Sequence, residues 1–552
     1  MQFLFATSED SSCMPTRRKR QLRYWLAVLF CWWVGWTVLP ASTQVAAGGG
    51  VARLIALDAC LHCYQQGSSE QRADQADGTE AAESEGNKKE GNDSQSVELD
   101  EIARQGIPRP TLEAVKLLRS ARKLVSDADV PSGQELRAFR NRLVSPAPLT
   151  NADRELIRRC TRYYVLRLSD PAEFGRRRRN LQELADILRR ARGHEQVYDE
   201  VRRTVIESAG AMFKHHIVSR VSAGIVLFFL ADEEALPLLV QQIADPQQHE
   251  SVKIWCIKAI AATALRDPAL RIKNKQYEEQ ALRALLDYFR STPPPHYWTQ
   301  REIILALGAI GRPTEDLLGG DANVAREIVL FLRGENLRAR EGTVPEGPGR
   351  LVRVEAVNAL VLLLIPDNLD YNFQQIGAEV ARFSVEAAYS ALRDPLIDRL
   401  HSYLYVQRCY ESLVALAGDP SASDPNRREG VVGRHPLARQ QGDPAYLAEL
   451  RDRVKKLSEA MIEVYRQGAD GSQDLAERTR LLQDHLKRSN VEALATAVLQ
   501  YIEQNQPRNF GRLTPATAPL PPWRELTPPS AQTKTATSER DSTGSEGQTG
   551  SP

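Results

Sequence analysis

Between residues 98 and 505 apolar side chains recur at helical spacing, in stretches a few turns long separated by short Pro, Gly or Asp breaks. A chain patterned this way satisfies its backbone as helices. No single stretch is long enough to enclose a core, so each must lay its apolar stripe on a neighbour. From Gln276 to Arg290, Tyr277, Ala281, Leu285 and Phe289 share one stripe with Leu282 and Leu286 beside it, while Glu278, Glu279, Arg283, Asp287 and Arg290 face the other way. This is the pattern of a half-buried outer helix. Residues 217–230 and 351–365 are apolar on nearly every side, as a helix sandwiched in a stack must be. Alternation of the two kinds predicts layered helical hairpins.

Composition narrows the function. The 552 residues exceed what one compact core accommodates, and runs of alternating β-branched residues between turns are scarce. Lysine plus arginine number 72 against 71 for aspartate plus glutamate, so no global field draws the chain to nucleic acid. Electrostatic targeting has to be local.

Within Leu236 to Leu265, Leu236-Pro237-Leu238-Leu239 is followed by Asp245-Pro246, a polar turn, Val252-Lys253 and an alanine-rich apolar helix. This resembles a HEAT repeat. The pairing of a basic residue with alanines returns at Arg220 with Ala223, Arg301 with Ala306, and Arg353 with Ala356 and Ala359, at uneven spacing. The likeness, clearest over 195–395, implies an irregular HEAT-like or armadillo-like α-solenoid, in which Asp245 and Lys253 would join a ladder of charge-assisted hydrogen bonds between stacked units.

After this core, Leu447, Leu450, Val454, Leu457, Met461 and Val464 step by three and four as a heptad seam. It is either an oligomerisation helix or one arm of a hairpin folding back on Val491, Leu494, Val498 and Tyr501. Beyond Gln506, Pro, Thr and Ser dominate and predict a disordered tail.

At the other end, Arg17, Arg18, Lys19, Arg20 and Arg23 precede the apolar run Trp25 to Leu39, and Val45-Ala46-Ala47 fits a signal-peptidase site. Either the leader is cleaved near Ala47, or Trp25 to Leu39 stays as a signal anchor with Trp32, Trp33 and Trp36 at the bilayer interface. Both readings export the rest of the chain, to the periplasm or cell envelope, in the second case tethered to the inner membrane. The stretch that follows lacks large apolar residues from about 66 to 97 and cannot offset its ordering entropy. The expected plan is therefore all-α: residues 1–47 signal peptide or anchor, 48–97 flexible linker, 98–440 solenoid, 441–505 helical hairpin or coiled coil, and 506–552 disordered tail.

Chemistry-bearing motifs are sparse. Cys60 and Cys63 form a lone CxxC, suited in an oxidising compartment to a local disulfide; Tyr64 stands where a haem-attachment motif needs histidine. Cys160, Cys256 and Cys409 fall in apolar helical stretches and read as small buried hydrophobes. Arg176, Arg177, Arg178 and Arg179 make a basic cluster able to grip phosphate, anionic lipid or an acidic polymer, or else a solvated face paired with neighbouring acids. His194-Glu195 and His249-Glu250 resemble the His-Glu motifs of deoxyhypusine hydroxylase, a HEAT-like enzyme family, which implies a two-iron site; only two of the pairs are present, so half the ligand set is missing. No catalytic elbow, phosphate loop or H-E-x-x-H zinc helix occurs. The reading is an exported, non-catalytic scaffold holding unidentified protein partners, without a cofactor. The alternatives are a metal enzyme on the same helices and a binder of anionic surfaces.

Overall fold

The computed structural model describes residues 124–126, 129–145, 147–266, 272–315, 322–393, 401–469 and 475–530. The expected leader and linker, with Trp25 to Leu39, Cys60 and Cys63, lie outside the described residues, as do 98–123 and 531–552. The described residues belong to one structural unit, 100–552. They form eighteen α-helices and no β-strand.

Helices α1 (Gly133–Arg142), α2 (Asn151–Leu166) and α3 (Arg177–Ala191) come first. Five hairpins follow: α4 (Glu195–Phe213) with α5 (Ile217–Leu230), α6 (Leu236–Ala244) with α7 (Glu250–Leu265), α8 (Lys275–Arg290) with α9 (Tyr297–Ile310), α10 (Asn323–Arg333) with α11 (Glu346–Leu362), and α12 (Phe373–Arg393) with α13 (Ser402–Ala417). The short α14 (Pro425–Arg434) and α15 (Pro436–Gln440) lead to α16 (Asp443–Ala469), α17 (Leu475–Arg488) and α18 (Val491–Gln504).

Local chemistry starts and stops these helices. Ser132 with Glu135, and Thr150 with Asp153, form reciprocal capping boxes that satisfy the first free N–H groups of α1 and α2. Gly311 and Gly334 end α9 and α10 at φ 84° and 79°, a left-handed geometry that disfavours any side chain.

The odd-numbered second helices of the hairpins form an inner row, in which α5 packs on α7, α7 on α9, α9 on α11 and α11 on α13. Their partners lie behind: α6 packs on α8 and α10 on α12, with Phe289 and Phe331 meeting edge to face at 6.1 Å between α8 and α10. The half-buried helix expected over Gln276 to Arg290 is α8, whose Ala281, Leu282, Leu285, Leu286 and Phe289 are buried. The all-round apolar stretches are α5 and α11, both in the inner row.

Where α9 crosses α11 the backbones nearly touch. A Cβ on Gly308 would lie 2.5 Å from Ala359 Cα and 2.8 Å from its carbonyl oxygen, so neither neighbour can yield by a rotamer change. Gly308→Ala is expected to destabilise by about 1–3 kcal/mol, the usual penalty for overpacking. Urea unfolding followed by helical circular dichroism reads it; an unchanged midpoint would mean the two helices can part freely.

One region follows an alternative that the sequence left open, the fold-back of the seam within the chain, and another departs from expectation. The α16 seam, Leu447, Leu450, Val454, Leu457, Met461 and Val464, is buried within this chain, where α16 packs on α13 and α12 as well as on α18. Helices α16, α17 and α18 thus continue the helical body. The tail expected from 506 is ordered as far as 530. Leu513, Thr514, Thr517 and Leu520 are buried, and Asn372 N–H donates to the Leu513 carbonyl at 2.8 Å. A proline-rich segment has no apolar period to betray such docking, because it is held mostly through its carbonyls.

Candidate interaction surface

Polar and aromatic side chains run without a break along the inner row. On α5, Phe228 meets Trp255 of α7 edge to face at 6.0 Å. One turn on, the Lys258 ammonium lies 5.2 Å from the Trp255 ring centre and 3.9 Å from Glu302 of α9. Glu302 also pairs with its neighbour Arg301 at 2.8 Å, and the Arg301 guanidinium covers Trp298 at 5.8 Å. Arg301 then reaches Glu355 of α11 at 2.9 Å, and Arg408 of α13 closes on the same carboxylate at 2.9 Å. Five successive helices are joined.

Glu355 is the keystone of this row. Its side chain is 5% exposed, and Asn358 donates to it at 2.9 Å. Burial by itself would raise its pKa, but Arg301 and Arg408 outweigh burial and hold the carboxyl below the ordinary glutamate range. The cations around it keep some water: Arg301 is 16% and Arg408 20% exposed. A buried carboxylate under a rim of reachable guanidiniums and half-buried indoles is chemically suited to a partner offering both apolar side chains and hydrogen-bond acceptors.

The repeated basic positions Arg220, Lys253, Arg301 and Arg353 all lie on inner-row helices, with differing partners. Arg220 donates to Gln248 at 3.0 Å, and Lys253 sits 4.5 Å over the Tyr288 ring. Burial lowers the Lys253 pKa. Arg353 holds Glu386 of α12 through two hydrogen bonds of 2.7 Å and the Leu332 carbonyl at the end of α10. Asp245 accepts the Gln247 N–H at 2.8 Å, closing the turn after α6.

His249 and Glu250 are fully engaged in building α7. The His249 Nδ1 accepts the Ser251 N–H at 3.1 Å as the helix N-cap. Glu250 takes the His296 N–H at 2.7 Å, the Thr299 hydroxyl at 2.6 Å and the Arg340 guanidinium. His194 is the N-cap residue of α4, with Glu195 in its first turn. Among the described residues no group of three or more His, Cys, Asp or Glu side chains is placed to hold a metal ion.

The arginine cluster spans the start of α3. Arg176 and Arg179 are 74% and 79% exposed, and pair with Glu173 at 3.7 Å and Glu183 at 3.2 Å. Arg178 is exposed, and Arg177 is half-buried with its pKa lowered by desolvation. The charges are therefore partly compensated where they stand. Cys160, Cys256 and Cys409 are buried free thiols; burial pushes Cys160 up to about 11 and the other two further, which keeps them unreactive.

Sequence reasoning did not single out Trp255, Lys258, Glu302 or Arg408. A signal exists in retrospect: an aromatic followed three residues later by a cation in two successive inner-row helices, as Trp255 with Lys258 and Trp298 with Arg301. Among the described residues no helix is long and apolar enough to cross a membrane. No family model, no curated protein and no solved structure matches this chain.

Proposed function

We propose that the chain is an exported helical-repeat scaffold, a HEAT-like α-solenoid whose inner row forms a concave surface that holds a protein partner. The observation carrying this reading is the continuous row from Phe228 through Trp255, Lys258, Trp298, Arg301 and Glu355 to Arg408, which crosses five helices while leaving Phe228, both indoles, Arg301 and Arg408 partly open. Stacking of the five hairpins, each packed against the next, supports the solenoid. The basic flank and apolar run at 17–39 support export, with the body outside the cytoplasm. No catalysis is assigned.

The test is affinity capture from the native cell envelope with the full chain and with Trp255→Ala/Trp298→Ala, followed by mass spectrometry. A protein set bound by the parent and reduced at least tenfold with the variant is the expected result, in line with loss of two aromatic anchors. An identical set from both would dismiss the inner row as the binding surface. Export is tested separately, by fusing residues 1–97 to a reporter that folds only outside the cytoplasm; an inactive fusion removes that part of the reading.

A further inference from the structure

The ordered end of the chain is held by arginines in a regular way. From α10, Arg326 donates to the carbonyls of Ala518 at 3.3 Å and Pro519 at 3.4 Å, and Arg333 to Pro521 at 2.5 Å. From α12, Arg382 donates to the Arg524 carbonyl and Arg393 to that of Thr527. Pro519 shares the Arg326 guanidinium with Ala518, and four of the five acceptors, at 518, 521, 524 and 527, fall on every third residue. That is the repeat of a polyproline II helix, in which every third carbonyl faces the same side and none is used internally. The segment Pro515 to Ser530, with Leu-Pro-Pro-Trp at 520–523, has the composition for it.

The groove has one side-chain selector. Trp523 donates its indole N–H to Glu379 at 2.8 Å, and its ring lies 5.8 Å from the Arg333 guanidinium and 4.8 Å from that of Arg382. Phe510 closes on it edge to face at 5.1 Å, and Leu520 is buried beside it. Elsewhere most contacts are to main chain and read conformation, apart from the buried Leu520 and the Thr517 hydroxyl, which accepts the Ala322 N–H at 3.0 Å. Among the described residues Arg326, Arg382 and Arg393 form no salt bridge, so their donors turn to an extended chain.

We infer that the α10–α12 face is a docking groove for an extended, proline-rich protein segment bearing a tryptophan, and that residues 515–530 are its resident occupant. Recognition through evenly spaced carbonyls accepts any segment of this conformation, while the Trp523 pocket demands an aromatic N–H donor. The covalently linked segment competes at high effective concentration, so a partner's segment enters only when the resident one is loosened. This surface lies on the hairpin helices behind the inner row and stands independently of the inner-row proposal.

The experiment uses the full chain carrying Trp523→Ala and a dye-labelled synthetic peptide of residues 515–530 with the native sequence, read by fluorescence anisotropy. Saturable binding at least tenfold tighter than to the parent chain is expected, together with loss of binding when the peptide's tryptophan is replaced by alanine. Adding Arg382→Ala to the chain should weaken it tenfold or more. A second chain, Pro521→Gly/Pro522→Gly, loosens the resident segment while keeping its tryptophan, and gives the same readout if the first proves unfolded by circular dichroism. Absence of saturable binding to the loosened chain, or binding indifferent to Arg382 and to the peptide's tryptophan, would show that 515–530 only closes the fold.

Discussion

Arg333→Met is expected to destabilise the chain by about 3–5 kcal/mol, because it strands a buried carboxylate. Arg333 and Glu379 meet at 2.6 Å with side chains 9% and 1% exposed. Burial works against the guanidinium's charge, but Glu379 outweighs it and raises the Arg333 pKa above the ordinary arginine value. Gln375 and Trp523 also donate to Glu379, at 2.5 and 2.8 Å, yet neither carries charge. Without Arg333 the carboxylate has to protonate or draw in water, and α10 loses its ion pair with α12. The pair Arg333→Met/Glu379→Leu should recover most of the loss, since an apolar pair of similar volume replaces both ions. Urea midpoints of the parent, the single and the double variant decide the matter. A single variant within about 1 kcal/mol of the parent would mean the pair contributes no more than an exposed one.

The second large effect is acid sensitivity. His216, His249 and His296 cap α5, α7 and α9, three successive helices of the inner row, each accepting a backbone N–H on Nδ1: from Ser219 at 3.1 Å, Ser251 at 3.1 Å and Trp298 at 3.4 Å. A protonated Nδ1 cannot accept, and it sets a positive charge on a helix N-terminus. Burial is the first cause lowering all three pKa values below the ordinary 6.5. His215 and Arg220 add to it at His216, and Arg220 and Arg340 at His249; Arg340 adds to it at His296. The Ser169 carbonyl at His216, and Glu250 at the other two, oppose it.

The unfolded chain therefore takes up these protons first as pH falls. Stability from the three caps is complete above the unfolded value near 6.5 and is lost as pH falls below it toward the depressed folded values. The loss falls between pH 7 and pH 5 and is softened by the water each ring still meets. Asparagine caps equally well and does not titrate. His216→Asn/His249→Asn/His296→Asn should match the parent at pH 7 and outlast it at pH 5; equal pH dependence of the two chains would discard the idea.

Much of the helical body was legible because burial imposes a period. The stripe of Ala281, Leu285 and Phe289 and the all-round apolar α5 and α11 could be read one helix at a time. The candidate surface was less legible. Arg301 stood out as a repeated basic position, but its partner Glu355 lies on another hairpin, and Arg408 on a third. No local spacing reports a contact made across stacked helices.

The sequence by itself determined that residues of this body are helical and which apolar stripe is buried in helices such as α8 and α16, since both follow from side-chain spacing along one chain; Glu278, expected on the outer face of α8, is buried. Only the tertiary structure decided which charges meet and that the proline-rich stretch of 506–530 is packed. The charge pairs form across stacked helices, and the packing of the stretch rests on guanidiniums of α10 and α12 reaching main-chain carbonyls more than a hundred residues away, which leave no mark in the sequence.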